Sequence, residues 1–346
     1  MVKKLNISDS ISMKPFNFEF IGEKYIAVHQ HGATSLFDLE LNKIFEVPVY
    51  SNGKTDFIIE LPDGDFCFFN KIYNSNGELT KKKFKTSKKS LEKYIPNKFI
   101  DASNSVIAGF PKAGIISVYD AELKPLREIQ LDKFEILIHY NIFSKSAFTF
   151  NEKSGELSVY NYPEFALKQK FKVNKQNVRF EFSVDGAKVF NYGYKPQNQL
   201  IDILESDTKK VLFHPTSKKG YKEQYLGPHN FGTSYLVSDN TFKNIVATTH
   251  QNKAILYKTE TDTLIDLEIH RHFEFDKFNI KLGKFHFGNV TFKSNHFMAS
   301  VGNESTIWDY DGNLLEKKGN IGFLRKHQSG KFFTLQEDKL NEIEIL

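Results

Sequence analysis

One unit of sequence recurs through this chain: two small or apolar residues, an aromatic, an Asp or Asn, a turn, and a second alternating stretch. It reads SLFDLELNKIFEV from Ser35, SVYDAELKPLREI from Ser117, SVYNYPEFALKQKF from Ser158 and TIWDYDGNLLEKK from Thr306. Looser copies are KIYNSNGELTKKKF from Lys71, LIDILESDTKKVLF from Leu200 and ILYKTETDTLIDLEI from Ile255. The central position falls at Phe37, Tyr73, Tyr119, Tyr160, Ile201, Tyr257 and Trp308, on average about 45 residues apart. That period matches one small four-stranded sheet. Such a sheet has two faces to bury and cannot cover both alone, so each copy must stack on its neighbours.

The texture between the copies agrees. Short runs such as Tyr25-Ile26-Ala27-Val28-His29 and Ile115-Ile116-Ser117-Val118-Tyr119 are rich in β-branched and aromatic residues and end in Asn, Asp, Gly or Ser. The one helix-like stretch, Ser90-Leu91-Glu92-Lys93-Tyr94, is stopped by Pro96. The expected fold is therefore all-β, a single closed β-propeller of four-stranded blades spanning residues 1–346. The spacing favours seven blades over eight. The copy at Tyr73 follows Phe37 by only 36 residues, and Asp65-Phe66-Cys67-Phe68-Phe69-Asn70 runs into it without a turn. Residues 321–346 offer three more strands, near Ile321–Arg325, Lys331–Leu335 and Glu342–Ile345. The N-terminal Lys3-Lys4-Leu5-Asn6-Ile7 is expected to complete that last blade and close the ring, which removes open edges.

Trp308-Asp309 ends its strand and precedes a Gly-containing turn, and Tyr-Asp, Tyr-Asn and Phe-Asp stand at the same place in other copies. In this the chain resembles the WD40-type β-propellers. The resemblance implies a rigid platform for protein interaction and carries no catalytic residues to this sequence.

Charge narrows the function classes. The formal net charge is +5, but only Arg127, Arg179, Arg271 and Arg325 among the 47 basic residues are arginine. Arginine is the side chain suited to bidentate phosphate and guanine contacts, so its scarcity argues against a nucleic-acid reader. The densest basic run, Lys81, Lys82, Lys83, Lys85, Lys88 and Lys89, reads as a solvated edge that lysines keep from pairing. No apolar run approaches the roughly 18 residues of a membrane helix. The opening MVKKLNISDSISM lacks an apolar stretch, so no secretory signal is expected. With Cys67 as the one cysteine, a reducing, cytoplasmic setting is the expectation.

Candidate chemistry is sparse. His29 with His31, and His270 with His272, are spaced to share one strand face, but spacing supplies no third ligand, so no metal is expected. Cys67, between Phe66 and Phe68, reads as a packing thiol. There is no P-loop, GxSxG elbow, HExxH or dinucleotide-binding glycine pattern, and no catalytic residue or cofactor is assigned. Two long connections stand out instead, 214–231 and 271–288. Each would join the outer strand of one blade to the inner strand of the next. Long loops on a rigid frame concentrate function. Their Tyr221, Tyr225, Phe231, Arg271, His272, Phe273 and Phe275 are the expected partner-binding residues. The leading expectation is a non-enzymatic scaffold that binds another protein in a larger assembly. The alternatives are a propeller hydrolase or lyase with a polar or metal site in its central basin, and a nucleic-acid-associated module using the lysine run.

Overall fold

The computed structural model describes residues 4–6, 17–48, 58–85, 96–173, 179–211, 236–267, 287–318 and 323–343. Within these ranges it leaves out 31, 70, 102, 111–113, 193–197, 205–206, 240, 249–253, 262, 294, 302–303 and 337–338. The described residues form strands and turns, with no helix among them. They fall into two compact units, Met1–Lys175 with Asp338–Asn341, and Gln176–Glu337 with Glu342–Leu346. The Ser90–Tyr94 stretch lies outside the described residues.

In the first unit β1 (Lys4–Asn6) is followed by antiparallel sheets made of consecutive strands. The first is β2 (Asn17–Ile21), β3 (Tyr25–Gln30), β4 (Ala33–Asp38) and β5 (Lys43–Val47). The second has three strands, β6 (Ile58–Glu60), β7 (Phe66–Phe68) and β8 (Lys71–Tyr73). The third is β9 (Asn97–Ile100), β10 (Val106–Phe110), β11 (Ile115–Tyr119) and β12 (Pro125–Gln130). The fourth is β13 (Glu135–Asn141), β14 (Ser146–Asn151), β15 (Glu156–Asn161) and β16 (Ala166–Lys172).

The second unit repeats the plan. Its sheets are β17 (Arg179–Phe182) to β20 (Asp207–Val211) through β18 (Lys188–Tyr192) and β19 (Asn198–Asp202), then β21 (Leu236–Ser238), β22 (Asn244–Thr248), β23 (Ala254–Lys258) and β24 (Thr263–Leu267). Next come β25 (Phe287–Phe292), β26 (His296–Val301), β27 (Glu304–Asp309) and β28 (Leu314–Lys318), and then the pair β29 (Phe323–Lys326) and β30 (Phe332–Gln336). The final strand, β31 (Lys339–Ile343), pairs antiparallel with β1, Lys4 facing Asn341 and Asn6 facing Lys339.

All seven repeated positions fall on the third strand of a sheet: Phe37 on β4, Tyr73 on β8, Tyr119 on β11, Tyr160 on β15, Ile201 on β19, Tyr257 on β23 and Trp308 on β27. In the first and third sheets the second and third strands are buried on both faces. Every residue of β10 and β11 is buried, whereas β12 is exposed along nearly its whole length. Strands covered on both faces read as continuous apolar runs, which is why VIAGF and IISVY lack polar alternation.

The cores lie between consecutive sheets. Leu36, Phe45 and Val47 of the first sheet pack on Phe66, Phe68 and Tyr73 of the second. Cys67 and Ile72 of the second pack with Val106, Ala108 and Tyr119 of the third, and Ile107, Ile116 and Val118 of the third with Leu137 and Ala147 of the fourth. In the second unit Val246 and Leu256 meet Phe297 and Trp308, whose rings stack at 5.5 Å and 20°. The closest approach is at Gly109, where a Cβ would come within 2.3 Å of Leu137 Cβ. No side chain fits there without moving a backbone.

His139 on β13 is caught in this packing, its ring 5.9 Å from both Phe99 and Phe148. Burial pushes its imidazole down from 6.5 to about 4. The folded state therefore favours the neutral ring, while the unfolded chain takes up a proton as pH falls below 6.5. His139 contributes full stability above that pH and loses it progressively toward pH 4. At about 1.4 kcal/mol per unit, the loss is bounded at about 3.5 kcal/mol. Replacing His139→Phe should flatten the acid side of the stability profile across this window, read as urea midpoints at each pH. A variant that loses stability with acid as steeply as the parent would show that the imidazole is not the group responsible.

Candidate functional site

The acidic residue after the repeated aromatic has a structural task. Asp309 Oδ1 accepts the backbone N–H of Asp311 at 2.9 Å and of Asn313 at 2.8 Å, and Oδ2 accepts from Asn313 Nδ2 at 2.9 Å. Asp38 braces Asn42 the same way, and Asp120 braces Glu122 and Lys124. Asn74 accepts from the N–H groups of Asn76 and Glu78. The device also closes first-to-second-strand turns, with Asp101 taking Ser103 and Ser105, and Asp239 taking Thr241 and Lys243. Each turn passes one residue through positive φ, at Leu41, Gly77, Asn104, Leu123, Phe242 and Gly312. A short carboxylate or amide that captures backbone N–H groups two and four residues on offsets the cost of that left-handed residue.

Hydrogen bonding from Asn313 holds the Asp309 carboxyl below the usual carboxylate range. Asp309→Ala should cost about 1–2 kcal/mol, because two backbone donors lose their acceptor. Asp309→Asn keeps an acceptor and should cost less than half of that. Chemical denaturation of both variants gives the comparison, and equal losses would remove the turn brace as the reason for the motif.

Buried polar side chains inside the sheets are likewise tied to one another. His29 on β3 is fully buried; its Nε2 lies 3.1 Å from Glu19 Oε1 and its Nδ1 3.1 Å from Thr34 Oγ1. This links the first three strands of the first sheet across one face. In the fourth sheet Glu135 does the same work: its Oε1 accepts from Thr149 Oγ1 and from Tyr160 OH at 3.0 Å. Burial, with Glu135 close by, pushes the Tyr160 phenol well above its ordinary range. Asp101 accepts from Tyr162 OH, joining the third sheet to the fourth. Sequence reasoning passed over Glu135, Thr149 and Asp101. The available signal was a carboxylate at the head of an otherwise apolar strand, as in EILIHY from Glu135.

Cys67 is buried, and its Sγ lies 3.4 Å from the carbonyl oxygen of Phe69. Lys98, 5% exposed, donates to that same oxygen and to Pro96 O at 3.3 Å. Burial pushes the thiol up and the amine down, each partly offset by the other. The pair fills the irregular end of β7, where Phe69 stands at φ 56°.

The lysine run is partly neutralised. Lys82 Nζ sits 2.5 Å from Asp63 Oδ2 and 2.6 Å from Asp65 Oδ2, and those hydrogen bonds raise its pKa. Lys81, Lys83 and Lys85 are exposed, while Lys88 and Lys89 lie outside the described residues. So do all seven partner-binding candidates, Tyr221, Tyr225, Phe231, Arg271, His272, Phe273 and Phe275, and the histidines His31, His270 and His272. Among the described residues no three His, Cys, Asp or Glu side chains converge as a metal site would need.

No protein-family model matches the chain, and no curated protein does. Solved structures do. BamB from Moraxella catarrhalis is similar over 99% of this chain and 99% of its own, with a TM-score of 0.53 and 8% identity. A chain of the mitotic checkpoint complex matches at 0.47 and 10% identity, covering 99% and 93% of the two chains. A streptogramin B lyase matches at 0.46 and 11% identity, covering 100% and 98%. At these identities the likeness to BamB speaks for fold alone. That fold is the β-propeller.

Proposed function

We propose that this chain is a non-enzymatic protein-binding platform, a subunit or adaptor of a larger assembly. The observation that carries the reading is the contrast between brace and tip. The same side-chain-to-backbone hydrogen bonds hold the turns at Asp38, Asp101, Asp120, Asp239 and Asp309, while the residues at the tips vary freely. A frame that fixes its loops and varies what they carry is suited to recognition. Its buried carboxylates and imidazole, Glu135 and His29 above all, are engaged in cross-strand bonds.

The finer architecture belongs to the same proposal. The sheets form a single closed ring, with β1 closing it through β31. The eight sheets among the described residues favour the larger of the two blade counts. Deleting residues 1–10 should leave β31 an open edge and cause aggregation or a melting temperature lower by several degrees. An unchanged melting curve would refute the closure.

The partner face is formed by the insertions 214–231 and 271–288, and the buried free thiol suits a reducing, cytoplasmic compartment. Changing Tyr221, Arg271 and Phe273 to alanine should abolish capture of partners from the native host while the melting temperature stays within a few degrees. Recovery of the same partners after both insertions are replaced by short Gly-Ser turns would reject this face. An empty pull-down with the intact chain would reject the platform itself.

A further inference from the structure

The fourth sheet contains its own internal comparison. After β13, Asn141 Oδ1 accepts the N–H of Phe143 at 3.0 Å and of Ser144 at 2.9 Å. After β14, Asn151 Oδ1 accepts the N–H of Lys153 at 3.1 Å and of Ser154 at 3.0 Å. The two turns share one brace and differ at the tip, Ile142-Phe143 in one and Glu152-Lys153 in the other. Two residues past the bracing side chain, other first-to-second-strand turns carry Ser103, Thr241 and Ser329. Nothing in the turn calls for an apolar tip. Yet Phe143 is 73% exposed and Ile142 is 42% exposed. The braced backbone that carries this ring has already lost the freedom that binding would otherwise remove from the loop.

The surroundings define what fits there. Lys145 O accepts the N–H of Tyr162 at 2.9 Å. The Tyr162 ring meets Tyr140 edge-on at 5.1 Å and Phe165 at 5.5 Å. Arg127 lays its guanidinium 5.2 Å from the Phe165 centroid. This is one of only four arginines in the chain, and it is exposed. Among the described residues neither Arg127 nor Lys145 makes an ion pair. Glu164 is the one carboxylate in the turns 141–145 and 161–165. Asp101 reaches the same tyrosine, but its carboxylate is buried and accepts from Tyr162, Ser103 and Ser105. The exposed surface around these turns thus offers two apolar side chains and two cations that make no ion pair, one of them spread on an aromatic ring.

We propose that the Ile142–Phe143 tip, with Arg127 and Lys145, is a docking site for an acidic protein segment that carries apolar side chains. The apolar side chains of that segment cover Phe143 and Ile142, and its carboxylates pair with Arg127 and Lys145. This surface is separate from the two insertions and rests on the reading of the chain as a protein-binding platform.

A random peptide library displayed on phage, panned against the full chain, tests it. Enriched sequences should combine Asp or Glu with Leu, Ile or Phe. A synthetic peptide from that set should lose at least about tenfold in affinity to Phe143→Ser and to Arg127→Glu, measured by fluorescence anisotropy. Both side chains are exposed, so the variants should melt with the parent. If Arg127→Glu proves unstable, Lys145→Glu carries the charge test, and a peptide with lysine in place of its glutamates should regain binding to either charge variant. No enrichment, enrichment of basic sequences, or peptides that bind Phe143→Ser as well as the parent would overturn the site. Phe143-dependent binding to phosphatidylserine vesicles without any peptide selection would also overturn it, assigning the tip to a membrane. Peptides that ignore these variants leave the platform reading intact, whereas an empty pull-down with the intact chain removes the platform and leaves this site to the library alone.

Discussion

Burial of one sheet against the next is the interaction on which everything else in each unit depends. A four-stranded sheet of this size has two apolar faces and no second layer of its own. Its second and third strands become a core only when neighbours cover both sides. Leu36 and Phe45 need Phe66 and Phe68, Ile107 and Ile116 need Leu137 and Ala147, and Leu256 needs Trp308. At about 25 cal/mol for each Å² of apolar surface buried, a single fully covered Phe contributes about 2 kcal/mol or more. The chain spreads 34 Phe, 15 Tyr and one Trp through its repeats, and the large fully buried side chains include Trp308, Tyr119, Phe148 and Phe297. The stacking distance is set by those rings, and Gly109 marks the place where there is room for none.

The polar part of the structure follows from that stacking. Once both faces of a strand are covered, a polar side chain in it must find its partner inside the protein. His29, Glu19 and Thr34 do so across three strands, and Glu135, Thr149 and Tyr160 across another three. These are the residues that composition alone would rank first for catalysis. Their geometry uses their hydrogen bonds up in holding strands in register, and the high pKa of Tyr160 is a product of that burial.

How much of this the sequence displays depends on the length scale of the cause. The repeat was legible, since it arises from a periodic need for an aromatic on the third strand and a bracing Asp or Asn one residue on, as at Tyr119-Asp120 and Trp308-Asp309. The strand near Tyr73 was harder to place, because its sheet has three short strands, and β7 and β8 are separated by two residues only. The lysine run reads as a solvated edge, with the pairing of Lys82 out of sight, as partners 17 and 19 residues away are invisible in a window of six. Glu135 was missed because its partners, Thr149 and Tyr160, come from two later strands. Phe143 was missed because an aromatic two residues beyond an Asn reads as the next strand until the Asn141 brace is seen.

Some exposed apolar residues have a place in the repeat. Ile44, Leu126 and Leu315 are 38%, 60% and 56% exposed, and each is the extra residue of a β-bulge on a fourth strand. The bulge falls opposite the repeated aromatic in all three, at Phe37, Tyr119 and Trp308, so its position is dictated by the turn. A bulge bends an outer strand and spoils it as a template for another chain, which gives those aliphatic residues a reason inside the fold. In the fourth sheet the longer turn Asn161–Phe165 moves the bulge one residue on, to Lys168. Phe143 has no such bulge to explain it. Its turn is braced like the others, and it stands where the first-to-second-strand turns at Asp101, Asp239 and His327 carry Ser103, Thr241 and Ser329. In a chain built from copies, what every copy shares belongs to folding, and tips that depart from it, Phe143 and the equally exposed Leu204 beyond Asp202, are where a partner is to be sought.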